Sequence, residues 1–435
     1  MRAGLFGPVK SSPFWGWIAI YLVIRLWLAI LPGYAPDVAD YKEWALGVAT
    51  DGLPAAYGGL GVDYPPVLLY PLAVAGETYL RVGPRGPGGE PVDSDLLTVL
   101  VKMPPLVFDL IIAAILGWLV GRTGLWGPRR RDPGWGRLAA LLYLFNPAVL
   151  WLSGYWGQAD AVHTAFATAG VAALAVGRPG ASGLWTSAAC LSKPLAGPLV
   201  PLMVAGAATA RGFRGVLALG GGGIAAALLI FLPFAVAGRL ADALRRVFLD
   251  VGAMPVTSAN AHNLWWLLGP WRRADTTVLG FLTPTTVGLG LFAAAYLALL
   301  VRMVQWRQRP RDDDYRAEIF LMAAAVSAVF FFLSTHLHEN HLFLALPLLL
   351  AVAGRNRTLA WLAVGCSAVI FVNCFLHDLE VPYLLPGLLS ASSSVTDPNF
   401  HRPYTYLQLF GSHANALGAA VVAGGVWLAA WRGRT

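Results

Sequence analysis

The residues whose types and spacing could do chemistry stand in a few short tracts. Asp37 and Asp40 lie three apart in PDVADYKEW, so on a helix their carboxyls would share a face. Carboxylates held together at a dielectric boundary raise one pKa, which suits a proton acceptor near neutral pH. The same pair could instead cap or solvate a surface helix anchored by Trp44. In STHLHENH, three of the eight histidines (His336, His338 and His341) fall within six residues, beside Glu339. Imidazole plus carboxylate could hold zinc, although the spacing matches no defined zinc motif. The set could also donate hydrogen bonds to a phosphate, or be interfacial histidines without a task.

Three further tracts carry single candidates. Lys193, in CLSKPLAGPLVPL, stands in apolar sequence, where an ammonium must be paired, hydrated, bound to an anion such as a lipid phosphate, or snorkelled to the interface. Gln158, Asp160 and His163 open an apolar run, where they could line a pocket or cap the helix. Arg245 and Arg246 precede TSANAHNLWWLLGPWRR and could hold phosphate or anionic head groups, or simply contact lipid.

The elements that must position these residues are membrane helices. The chain has 435 residues, of which 57% are hydrophobic and 12% charged, and its mean hydropathy is +0.61. Those values exclude a soluble globule and imply an all-α polytopic membrane protein. Apolar runs recur from Phe14 to Trp431 without the alternation of barrel strands. The net charge of +8 does not point to nucleic acid, because the basic residues sit in short loops that read as cytoplasmic. These are the N-terminus, Arg122 to Arg137, Arg178, Arg211 with Arg214, Val301 to Arg316, Arg355 with Arg357, and Arg432 with Arg434. Cys190, Cys366 and Cys374 lie in or beside apolar runs and read as core residues, with no disulfide framework. The first run follows a basic N-terminus but contains Arg25 and lacks a small-residue cleavage site, so it reads as a retained signal anchor.

Parity then constrains the topology. If the N-terminus and Arg122 to Arg137 are both inside, an even number of spans separates them, yet three apolar candidates are present: Phe14 to Leu31, Tyr64 to Leu80, and Met103 to Val120. The second is short and holds Pro65, Pro66 and Pro71, so it is expected to lie on the outer membrane surface. Further spans are expected at Leu138 to Ser153, Ala161 to Val176, Leu184 to Leu195, Val200 to Ala210, Val216 to Ala237, Val278 to Leu300, Ile319 to Leu333, Leu342 to Ala353, Leu359 to Phe375 and Ala414 to Trp431. The pair flanking Lys193 reads equally as a re-entrant hairpin. This gives one integral membrane domain over 1–435 with about twelve crossings. Both ends are inside, with outer segments at 32–102, 238–277 and 377–408. Asp37 and the histidine tract fall on one predicted side, which suggests a single active site at the outer boundary.

In order along the chain, PDVADYKEW, VDYPPVLLYPL, VKMPPLVFDL, LYLFNPAVLWLSGYWGQADAV, CLSKPLAGPLVPL, ANAHNLWWLL and THLHENHLFLALPLLL resemble the lipid-phosphate-sugar-dependent glycosyltransferases of the GT-C fold. The closest likeness is to the dolichyl-phosphate-glucose alpha-1,3-glucosyltransferases of N-glycan precursor assembly, and it runs from Tyr34 to Leu350. No one tract is specific alone; their shared order is.

The resemblance implies an inverting hexosyltransferase that moves a hexose, glucose by this likeness, from a polyprenyl- or dolichyl-phosphate donor to a lipid-linked glycan or glycolipid. It implies the catalytic base at Asp37, seven residues before Trp44, ahead of Asp40, and an outer-surface helix at Tyr64-Pro65-Pro66. Donor or acceptor contacts fall to Asp40, Tyr64, Gln158, Asp160, Lys193, Arg245, Arg246, His336, His338 and Glu339. The family follows its His-Glu pair with Lys, where this chain has Asn340. The expected chemistry needs no metal or other cofactor, because the leaving group is a phosphate monoester anion stabilised by cationic side chains. The chain's compact length and its Arg, Gly and Pro content suggest a prokaryotic member in the cell membrane, with the endoplasmic reticulum membrane as the eukaryotic equivalent. A polyprenyl-phosphate-mannose-dependent mannosyltransferase is the alternative within the class. A transporter or flippase of lipid-linked saccharide is the alternative outside it; such proteins commonly carry paired inverted repeats, and only one broken segment is visible here.

Overall fold

The computed structural model describes residues 7–127, 131–249, 255–269, 271–272, 276, 280–305, 313–378, 394–396 and 403–433. The chain is mostly helical, and its contacts divide it into two compact units. The first holds 1–252 with 309–316, the second 253–308 with 317–435.

In the first unit, helix α1 (Ser11–Ile30) leads through Gly33 to α2 (Ala35–Asp51). Pro36 in the first turn of α2 forfeits an N–H that has no intrahelical partner there, and Gly52, at φ +85°, ends the helix. Next come α3 (Leu69–Val82), α4 (Asp95–Val101), α5 (Met103–Thr123) and α6 (Pro133–Leu144). At 14 residues, α3 is about 21 Å long and too short to cross a bilayer, as its reading as a surface helix requires. A π-helical segment, Leu150–Trp156, then leads to α7 (Asp160–Ala175), α8 (Pro179–Cys190), α9 (Val200–Val236) and α10 (Leu240–Phe248).

Helix α9 is two helices. Gly212 has non-helical dihedrals (φ 59°, ψ −151°), and a methyl on Gly215 would strike the Ala207 carbonyl, eight residues back. In a continuous helix those residues would be about 12 Å apart. The chain therefore reverses at Gly212, between Arg211 and Arg214, where two separate spans are expected. The second limb lies hard against α8: methyls on Gly183 and Gly222 would meet the carbonyls of Leu219 and Gly180. Small residues at that crossing permit backbone contact, as in many membrane helix pairs.

The second unit contains α11 (Leu264–Leu268), α12 (Pro284–Gln305), α13 (Asp313–Leu333, of which 313–316 belong to the first unit), α14 (Ala345–Ala353), α15 (Arg357–His377) and α16 (Tyr406–Arg432). Strands β1 (Ser258–Ala259) and β2 (Leu337–His338) pair in parallel, Ser258 opposite Leu337. Strands β3 (Ser394–Thr396) and β4 (Pro403–Thr405) pair antiparallel. Most of the expected 377–408 loop lies outside the described residues, as do parts of 238–277 and the start of the span expected at 278.

Among the described residues, seven helices are long and apolar enough to cross a membrane. The number is eight if α6 and the segment 147–156, bent by 46°, form one span. The lower number than the twelve expected comes partly from length. The segments expected to span near 161–176, 184–195 and 342–353 form helices of 16, 12 and 9 residues. At 1.5 Å per residue these are about 24, 18 and 14 Å long, short of a core about 30 Å thick.

Candidate functional site

The site in the first unit is built where the start of α2 meets the chain leaving the π-helical segment. Tyr34 donates its N–H to the Trp156 carbonyl (3.2 Å), and the two rings stack with centroids 4.6 Å apart. That contact fixes where α2 begins. Asp37 falls in its first turn, where the positive end of the helix dipole favours a carboxylate. Tyr41, one turn on, faces the same way and is buried.

Gln158 ties these side chains together. Its amide donates to Asp37 Oδ2 at 2.7 Å, while its carbonyl oxygen accepts from Tyr41 at 2.6 Å and from Tyr64 at 3.3 Å. Two residues on, Asp160 opens α7 and accepts from Lys193 Nζ at 2.8 Å. Lys193 also lies 5.5 Å from the centre of the Tyr64 ring, a cation–π distance. Burial pulls the Lys193 pKa down, but Asp160, with Tyr41 and Asp37 adding to it, holds the ammonium above its ordinary value. Of the readings open for Lys193, the structure supports pairing. For Asp160 it supports both a place in the first turn of the helix and a polar contact.

A narrow crevice beside this pair is lined by Tyr64, Leu68, Ala159, Val162, His163, Ser192 and Lys193. His163 Nδ1 stands 3.5 Å from the same Asp160 oxygen that Lys193 uses. Trp44 and Tyr41, whose rings pack on Tyr64 at 5.7 and 6.3 Å, form an aromatic wall.

Asp37, Tyr64, Gln158, Asp160 and Lys193 thus come together from four stretches of sequence. Asp40 is exposed on α2; its carboxyl is raised by partial burial and then by Asp63 and Glu43. Arg246, on α10, acts on Asp63, lowering a carboxyl that burial raises, whereas Arg245 is exposed.

His336, His338 and Glu339 belong to the second unit. His336 has φ +63°, donates its backbone N–H to the Thr257 carbonyl, and has its Nδ1 2.7 Å from Thr335 Oγ1. The His338 N–H donates to His341 Nδ1 at 3.2 Å, with the rings 5.1 Å apart, and Glu339 is buried. Among the described residues, no three His, Cys, Asp or Glu side chains are placed to hold a metal ion. A second cluster escaped the sequence reading: His262 Nε2 meets His377 Nε2 at 2.8 Å, and Asn415 Nδ2 lies 2.8 Å from His262 Nδ1. Asn373 accepts from the His262 N–H and donates to the Asn260 carbonyl. His262 and Asn263, inside ANAHNLWWLL, were the only sequence signal.

Also unforeseen is the partner of Arg25. Inside the membrane helices, Arg25 pairs with Asp109 at 3.2 Å, both essentially buried, and Tyr143 donates to the same carboxylate at 2.8 Å. A buried intramembrane ion needs such a partner, and the Asp in VKMPPLVFDL was its signal.

Fold and site together define a polytopic helical membrane protein with a buried polar site at the start of its second helix. Compared with known proteins, the chain matches no protein-family model and no curated sequence.

Proposed function

We propose that the protein is an inverting glycosyltransferase of the GT-C type that moves a hexose from a polyprenyl-phosphate or dolichyl-phosphate carrier to a lipid-linked glycan or glycolipid. The observation that carries this reading is the half-buried Asp37 held by Gln158 in the same cluster as Lys193 and Asp160. One carboxylate is oriented to take a proton, and one ammonium stands near it to face an anion.

In this mechanism the acceptor hydroxyl loses its proton to Asp37 as its oxygen attacks the anomeric carbon. The new C–O bond forms on one face of the sugar while the bond to the carrier phosphate breaks on the other, so the configuration inverts. The departing phosphate monoester takes the bonding electron pair, and its charge is met by the Lys193 ammonium. Glucose is the sugar favoured by the resemblance, mannose the alternative. About twelve crossings, both termini in the cytoplasm and a site on the outer face of the cell membrane complete the reading.

The test is transfer of radiolabelled sugar from synthetic polyprenyl-phosphate-glucose and polyprenyl-phosphate-mannose to a membrane glycolipid extract, in EDTA, with wild type and Asp37→Asn side by side. Transfer by wild type and none by the variant supports the reading and names the sugar. No transfer from either donor, with lipid-linked sugar crossing proteoliposome membranes instead, replaces it with a transporter.

A further inference from the structure

Lys102 is 1% exposed and stands at the break between α4 and α5. Its ammonium donates to two main-chain carbonyls far apart in sequence: Leu31, just past the end of α1, at 2.6 Å, and Tyr155, in the last turn of the π-helical segment, at 2.9 Å. Both are C-terminal helix ends, where unsatisfied carbonyls carry partial negative charge. Two glycines make room for it. Gly33 (φ +77°) and Gly157 (φ +79°) adopt left-handed conformations; a methyl on Gly33 would lie 2.7 Å from Lys102 Nζ, and one on Gly157 2.8 Å from Lys102 Cγ.

The two anchored ends are the ones that deliver the site. Three residues beyond Leu31, Tyr34 starts the helix that carries Asp37, and three residues beyond Tyr155 lies Gln158. The backbone bond from the Tyr34 N–H to the Trp156 carbonyl lies beside the ammonium's two carbonyls in sequence. We infer that Lys102 is a positioning residue for the proposed transfer: it holds the α2 start and the segment carrying Gln158 together so that the Gln158 amide stays on Asp37. This role rests on the proposed function, but its geometric part does not.

The experiment combines kinetics with hydrogen–deuterium exchange on detergent-solubilised wild type, Lys102→Met and Lys102→Gln. In Lys102→Met the exchange of peptides covering 32–40 is expected to accelerate at least about tenfold, while peptides covering 105–120 keep their wild-type rates. With polyprenyl-phosphate sugar as donor, kcat is expected to fall about a hundredfold with donor KM changed less than about twofold, because the reacting groups are misplaced and the donor contacts are not. The acidic limb of kcat against pH moves upward, since a carboxylate that loses a donor hydrogen bond gains a higher pKa. Lys102→Gln, which keeps one N–H donor group, recovers part of each change. Should Lys102→Met not fold, Lys102→Gln and Gly157→Ala carry the same readouts.

Wild-type exchange at 32–40 in the variants overturns the inference, and so does equal acceleration across both peptides, which would mean general loosening. A wild type that transfers no sugar removes the transferase reading; the exchange result still decides what Lys102 holds.

Discussion

The side-chain amide of Gln158 donates to Asp37 Oδ2 at 2.7 Å across 121 residues of sequence. A carboxylate that accepts such a bond is fixed in direction. Tyr41 and Tyr64 complete the orientation by donating to the opposite end of the same amide, so the amide has little freedom to turn.

Removing the charge of Asp37 while keeping its shape tests that arrangement. Asp37→Asn is expected to lower the transfer rate by about 10²–10⁴-fold, the usual worth of a general base, with expression and melting unchanged. Transfer of radiolabelled sugar measures it, and residual activity above a tenth of wild type, roughly, removes Asp37 from the role.

The Arg25–Asp109 pair predicts an asymmetric stability effect. Arg25→Met leaves Asp109 buried without its cation and is expected to cost about 3–5 kcal/mol, read as a fall in melting temperature in detergent. Arg25→Met with Asp109→Leu removes both charges and should recover most of that loss. Equal losses in the single and double variants would show that the pair does not act as a unit.

Close packing of α8 on the second limb of α9 gives a steric prediction. Gly183→Val places bulk against the Leu219 carbonyl and is expected to destabilise by about 1–3 kcal/mol. A methyl on Gly220 would meet nothing within 4 Å, so Gly220→Ala should stay within about 0.5 kcal/mol of wild type. Melting of the two variants in the same detergent compares them directly.

His262 makes the second unit sensitive to acid. Burial, with His377 and His413 adding to it, holds its pKa well below the ordinary 6.5. A group whose folded pKa is depressed and whose neutral form is favoured stabilises the fold above its unfolded value, and that stability is lost as pH falls through the folded value. The melting temperature is therefore expected to decline as pH drops below about 6.5, and His262→Gln, which does not titrate, should flatten the decline. An identical pH dependence in the variant would assign the effect elsewhere.

Sequence alone determined that this is a helical membrane protein, because hydrophobic runs of near-bilayer length and basic short loops are local properties that need no partner. It also located the break at Arg211–Arg214, where Gly212 reverses the chain, and picked out Asp37, Gln158, Asp160 and Lys193, since polar groups beside apolar runs are conspicuous one at a time. It did not set where each helix ends, because a helix such as Pro179–Cys190 ends where its own caps and neighbours end it, not where its apolar composition does. What only the tertiary structure decided is pairing. That Lys193 answers Asp160, that Arg25 answers Asp109, that Gln158 orients Asp37, and that Lys102 binds two helix ends all depend on contacts between residues tens to more than a hundred positions apart. Such contacts are selected by the packing of helices and by the high cost of leaving a buried charge or carbonyl unsatisfied, and neither leaves a local pattern in the chain.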